Sequence, residues 1–441
     1  MGCKMDFLIF YEHFNREIES LILIKYQLEK MGYSVVISHF SLNSYGKHVL
    51  FDKPKVVVTP WLRDNENIYR YTRFINKPKL VNLQWEQIYS INDFEIGIAS
   101  TTGLALQAKH ICWGEAAKNK LISEGVIEEN LKVTGAVHLD FCREEFDSYY
   151  LSRVEIAKQY NLNPHKKWVL FISSFSYATY DEKSLDALLE QWGDFSEFVS
   201  ISKKSRLELL QWVDELLKLD PNIEFIYRSH PSENIDGILE EKCKTISAFK
   251  IIKDYSVKQW IKVSDSIITW YSTSVAEIYA MGKSFCIVRP VTIPKIYEVD
   301  IMRDANFITT CDEFIKYICI DTNYECPINE QIFKNYFLNN DTFAYINVAN
   351  YLVSIIEDPV NHENYSFTKE EEKKFKNKYR VSILVSLITD FVIRTRIKLS
   401  LFIPIKKRIF RNIEKYAFNY SKNEFERIDK NVKKVILKNE K

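Results

Sequence analysis

The sequence predicts an α/β protein of two doubly wound, Rossmann-like domains facing a cleft, plus a basic helical C-terminal extension. Three observations carry that expectation. Short runs rich in Val, Ile and Phe alternate with amphipathic stretches, the pattern of a parallel sheet covered by helices on both faces. The alternation passes through two cycles, separated by the polar stretch 161–167. After about residue 365 it gives way to charged and then basic, apolar chain. At 441 residues the protein is too long for one ordinary core.

In the first cycle, residues 6–11 read as a buried strand. Residues 16–30 follow as a helix, apolar at 18, 21, 22, 24 and 28, with Gly32 placed to end it. Strands are expected over 33–40, 55–59, 79–84, 96–100, 110–113 and 131–135, with a helix over 116–124. In the second cycle, strands are expected over 168–174, 223–227, 249–252, 266–269 and 284–288, and helices over 206–217, 257–263 and 274–281. These readings divide the chain into 1–155, 156–345 and an extension, 346–441.

Net charge is +1, so the total gives no reason to expect nucleic acid as a partner. Its distribution is uneven. From 391 to 441 there are 15 Lys/Arg against 5 Asp/Glu, which leaves −9 on the rest. The segment 381–420 mixes Ile, Leu, Phe and Val with Arg394, Arg396, Lys398, Lys406, Lys407, Arg408 and Arg411, a composition suited to the surface of an anionic bilayer. The other reading of that segment is an amphipathic helix packed on the body. No apolar run reaches the roughly 18 residues of a membrane span. The short apolar start, interrupted by Asp6, reads as a strand rather than a leader, and Asp6 also stands where a myristoylation signal needs Ser or Thr. Eight scattered cysteines without a Cys-x-x-Cys pair read as free thiols. A protein peripheral to the inner face of the cytoplasmic membrane is therefore expected.

Two segments carry chemistry. The expected strand 223–227 runs into Arg228-Ser229-His230-Pro231-Ser232-Glu233, a polar turn at a strand's carboxyl end, where ligands of such sheets bind. His230 can donate a hydrogen bond or carry charge near a phosphate, and Arg228 can offer a bidentate fork. A surface turn explains the same residues without function. About forty residues on, Ser272, Thr273 and Ser274 lie between a strand and a helix, where hydroxyls cap a helix whatever its function, and where its N-terminus suits a phosphate. Glu277 either closes a capping box with Ser274 or turns inward to a ribose.

A His-Pro pair, then a Ser/Thr cluster, a helix with Glu277 and Gly282-Lys283 resembles the donor half of bacterial GT-B transferases of surface polysaccharide assembly. These families include the capsule Kdo transferases, the bacterial sialyltransferases and the teichoic-acid CDP-glycerol polymerases. Arg16-Glu17 after the first strand and 133–140 at the end of the first cycle resemble surface carbohydrate (capsule, O-antigen) biosynthesis proteins, although Val137 and His138 stand where those relatives have Pro and Arg. The resemblance implies a GT-B fold, with an acceptor-side domain over 1–155 and a nucleotide-sugar donor domain over 156–345. It implies that His230 and Ser272, Thr273 and Ser274 bind the donor phosphate, and that His230 assists departure of the leaving group. Arg228, Pro231, Ser232, Glu233, Glu277, Ser173 and Ser174 are expected at the same donor site, with Ser176 close by.

No Asp-x-Asp occurs, so neither a metal nor a cofactor is expected. The catalytic base is expected on the first domain, from Glu17 or Glu86, with Glu12 and His13 also at the first strand's exit. The function implied is glycosyl transfer from a nucleotide-activated donor, CMP-linked Kdo or nonulosonic acid in particular, to a surface polysaccharide such as lipopolysaccharide or to a lipid-linked acceptor. The alternatives are CDP-polyol phosphotransfer, nucleotide-sugar 2-epimerisation, and a non-catalytic scaffold in capsule assembly.

Overall fold

Runs of Val, Ile, Leu and Phe form the strands because a parallel sheet is covered on both faces and needs no polar side. The computed structural model describes residues 5–40, 48, 53–73, 76–90, 100–320, 326–338, 342–359, 365–380, 382–401 and 422–439. Its contacts divide the chain into two compact units. Unit 1 comprises Met1–Gln87, Ala99–Asp140 and Asn335–Lys441, and unit 2 comprises Ile88–Ile98 and Phe141–Lys334.

Among the described residues, unit 1 holds six parallel strands: β1 (Phe7–Tyr11), β2 (Val35–His39), β3 (Val56–Thr59), β4 (Lys79–Asn82), β5 (Lys109–Cys112) and β6 (Leu131–Val133). Their order is β2-β1-β3-β4-β5-β6. The chain winds from β1 to one side and then crosses to β3 on the other, which puts a topological switch point between β1 and β3. The helix Phe14–Lys30 buries Ile18, Leu21, Ile22, Leu23, Ile24 and Leu28, a wide apolar face. The expected strand over 96–100 falls almost wholly outside the described residues.

The later chain completes this unit. Helices Ala344–Glu357 and Lys422–Asn439 pack on Phe14–Lys30. The helix Lys369–Tyr379 opens on a capping box between Thr368 and Glu371 and sends Phe375 and Tyr379 into the core of Phe10, Phe40, Ile68 and Tyr71. Residues 402–421, with Lys406, Lys407, Arg408 and Arg411, lie outside the described residues. Among the described residues no helix is long and apolar enough to cross a membrane.

Unit 2 repeats the architecture with β7 (Lys167–Ile172), β8 (Ile223–Arg228), β9 (Phe249–Ile252), β10 (Ser266–Thr269), β11 (Phe285–Val288) and β12 (Phe307–Ile308). The order β12-β11-β10-β7-β8-β9 is all parallel. Read from β9, it is the order of a dinucleotide-binding sheet, with the switch point between β7 and β10. Trp168, Phe171, Trp270 and the helix Ser196–Leu219 fill its core. That helix is longer than the expected 206–217, and the pattern reading missed the helix Asn65–Thr72, capped by Asp64.

Candidate functional site

The carboxyl ends of β7, β8 and β10 are neighbours in unit 2, so their exit loops meet at and beside the switch point. Ser174, after β7, accepts the Tyr271 N–H at 3.1 Å and so ties the β7 loop to the β10 loop. His230, after β8, is exposed, and its Nδ1 accepts the Ser232 N–H at 3.1 Å and lies 2.8 Å from the Ser176 hydroxyl. An Nδ1 that accepts a backbone N–H carries no proton in the neutral ring, so the proton sits on Nε2. The ring is therefore held as an Nε2–H donor.

Beneath His230 is a buried polar network that the sequence reading missed. Glu233 is 2% exposed. Its Oε2 accepts the His230 N–H at 3.1 Å and the Ser173 hydroxyl at 2.7 Å, and its Oε1 accepts the Tyr227 hydroxyl at 2.6 Å. Arg206, from the helix Ser196–Leu219, brings Nε to 4.0 Å from Glu233 and donates Nη2 to Asp236 at 2.7 Å. Burial first, then the Glu233 charge, push the Tyr227 hydroxyl well above its ordinary range, so it remains a proton donor. The turn after Pro231 is closed again where Asn234 donates its backbone N–H to Thr179 Oγ1 at 3.1 Å.

The residues expected at the donor site separate into two groups. His230, Pro231, Ser232 and Thr273 are exposed, and Ser174, Ser272, Ser274 and Glu277 are half-buried, all on the loops or first turns that follow β7, β8 and β10. Ser173 and Glu233 lie beneath them in the network, where they position rather than face a ligand. Arg228 spends its fork on the carbonyls of Asp254 and Tyr255, at 2.8 and 2.5 Å. It pins the β8 exit to the chain after β9. The capping box considered for Ser274 and Glu277 is not formed, since Ser274 makes no side-chain cap bond. Ser272 Oγ accepts the Ser274 N–H at 3.2 Å and Thr269 Oγ1 accepts the Ser272 N–H at 3.3 Å, so the hydroxyls knit the turn internally.

In unit 1 the switch point gathers charge. Glu17 is fully buried, accepts the backbone N–H groups of Glu12 and His13 at 2.7 and 3.2 Å, and pairs with Arg16 at 2.7 Å. A carboxylate with no exposed face cannot take a proton from a bound substrate, so the expected catalytic role does not suit Glu17. It holds the β1 exit instead. Arg16 also pairs with Glu86 at 2.7 Å, and Glu86 is 42% exposed. Burial pushes the Glu86 carboxyl up, but Arg16 and Arg63 outweigh it and hold it below the usual range. Glu12 differs. Burial, helped by the Glu86 charge, raises its carboxyl against Arg16 and Arg63. Trp61, half-buried at this end, hydrogen-bonds Glu12, and Trp85 is buried. Among the described residues no group of three or more His, Cys, Asp or Glu is arranged to hold a metal ion.

No protein-family model matches the chain, and no curated protein matches it in sequence. Solved structures do. A variant of the wall teichoic acid polymerase TagF matches with TM-score 0.54 at 13% identity, over 81% of this chain and 90% of that one. The MnaA–UDP co-structure from S. aureus matches with TM-score 0.52 at 13% identity, over 82% of this chain and all of that one. UDP-GlcNAc 2-epimerase from Methanocaldococcus jannaschii matches with TM-score 0.50 at 15% identity, over 80% of this chain and all of that one. At such identities the likeness is one of fold, and that fold is GT-B, two Rossmann-like domains in one chain.

Proposed function

We propose that the protein is a glycosyltransferase that takes a sugar from a nucleotide-activated donor and passes it to a surface polysaccharide or lipid-linked acceptor. Unit 2 carries the donor half. The observation behind this reading is that His230 Nδ1 accepts the Ser232 N–H at 3.1 Å, which leaves the ring proton on Nε2. Its Nε2–H is a preset hydrogen-bond donor at the exit of β8, one strand from a switch point whose other loop offers Ser272, Thr273 and Ser274. As the bond from the anomeric carbon to the phosphate oxygen breaks, the electron pair stays on that oxygen, and His230 donates to it. A donor set of one imidazole and a hydroxyl cluster suits a leaving group with a single phosphate, which favours a CMP-linked acidic sugar. On unit 1, the candidates for the base that receives an acceptor's hydroxyl proton are Glu12 and Glu86.

The likeness to TagF, one of whose structures was soaked with CDPG, favours a second reading, transfer of a polyol phosphate from a CDP-polyol. The likeness to the 2-epimerases adds a third. Products decide between them. The enzyme is incubated with CMP-, CDP- and UDP-activated donors, with and without a lipid-linked glycan. Acceptor-dependent release of nucleotide with sugar on the glycan supports the proposal. A glycan gaining phosphate along with its new group supports the polyol reading. An epimer formed without acceptor supports the epimerase, and nucleotide binding without turnover leaves only a scaffold.

A further inference from the structure

The helix Ser382–Thr395 buries some of its side chains and exposes several large apolar ones. Val392 and Thr389 are buried. Leu384, Leu387 and Phe391 are 61%, 45% and 48% exposed. Their spacing of i, i+3 and i+7 confines them to roughly 60° of the helix circumference. Ile397 and Leu401 follow, 41% and 72% exposed, with the exposed cations Arg396 and Lys398 between Phe391 and Leu401. Large exposed apolar side chains in a row mark an interaction surface, where scattered single ones do not.

Charge decides which partner fits. The described stretch 382–401 holds Arg394, Arg396 and Lys398 against a single acid, Asp390. A second copy of this face would bring like charges together. A bilayer with anionic headgroups instead offers apolar depth beside negative charge. We propose that the face formed by Leu384, Leu387 and Phe391 lies on an anionic phospholipid bilayer, with these side chains at the headgroup–acyl boundary and Arg396 and Lys398 among the phosphates. This rests on the proposed function only in naming where a lipid-linked acceptor is met. Vesicle binding needs no nucleotide and no transfer, so either reading can fail while the other stands.

The test is flotation of the full chain with vesicles of phosphatidylcholine, alone or mixed with phosphatidylglycerol. The expected result is binding to the mixed vesicles, falling as salt rises. Leu387→Glu combined with Phe391→Glu should weaken partitioning about tenfold or more. Arg396→Gln and Lys398→Gln should each weaken it about fivefold, on the anionic vesicles alone. Because all four positions are exposed, the variants should keep the parent's circular dichroism and melting temperature. Undiminished binding by the double apolar variant overturns the proposal, as does equal binding to both vesicle types. A wild-type oligomer that the double variant breaks up assigns the face to a second copy and overturns it too.

Discussion

Glu233 holds His230 by its backbone: its Oε2 accepts the His230 N–H at 3.1 Å, and the same carboxylate accepts the Ser173 and Tyr227 hydroxyls. His230 thus stands on a buried side chain whose hydroxyl partners are Ser173, just after β7, and Tyr227 in β8. Glu233→Ala should destabilise the protein by about 3 kcal/mol, because two buried hydroxyls lose their acceptor and Arg206 loses one of its carboxylates. Tyr227→Phe removes a single donor and should cost about 1–2 kcal/mol. Urea denaturation of both variants measures the difference, and equal, negligible effects would show that the network does not support the site.

The two partners of Arg16 predict an asymmetry. Arg16→Gln leaves the fully buried Glu17 with backbone donors alone, and should cost about 3 kcal/mol. Glu86→Gln removes the 42% exposed partner of the same guanidinium, and should change stability by about 1 kcal/mol or less. Chemical denaturation of the two single variants checks the ordering. If Glu86→Gln proves the more damaging, Glu86 has a structural role that its exposure does not suggest.

Acid should loosen the helix Lys369–Tyr379. Burial raises the Glu66 carboxyl, but its bonds to Lys378 and Tyr379 outweigh this and hold it below its ordinary 4.5. A carboxylate with a depressed folded pKa contributes stability that is present above the unfolded value and lost as pH falls through the folded one. Hydrogen exchange in residues 369–379 should therefore accelerate as pH drops below 4.5, after correction for the intrinsic rate. In Glu66→Gln that acid-dependent step should disappear.

The strands were legible because parallel sheets demand continuous apolar runs, and Val56–Thr59 or Phe285–Val288 offer no other reading. His230 was legible by its place after such a run. Its support was not. Ser173 and Glu233 are 60 residues apart, and Arg206 comes from a helix whose face toward Asp236 no local pattern reveals. Arg228 was misleading for a related reason: a guanidinium at a strand end looks available for a phosphate until the carbonyls of Asp254 and Tyr255 take it. The return of 335–441 to unit 1 was also hidden, since the apolar faces of Ala344–Glu357 and Lys422–Asn439 do not state what they cover.

The most direct test of the account compares wild-type and His230→Ala protein in a thermal-shift panel of CMP, CDP, UDP and GDP. At about a hundred times the dissociation constant, a bound nucleotide adds about 2.7 kcal/mol to the native state, which is several degrees of melting temperature. The wild type should rise with at least one cytidine nucleotide. His230→Ala should melt within a few degrees of the wild type without ligand, because the exposed ring contributes hydrogen bonds to Ser232 and Ser176 but no core packing, and should lose most of the nucleotide shift. A full shift in His230→Ala would contradict the assignment of His230 to the donor phosphate.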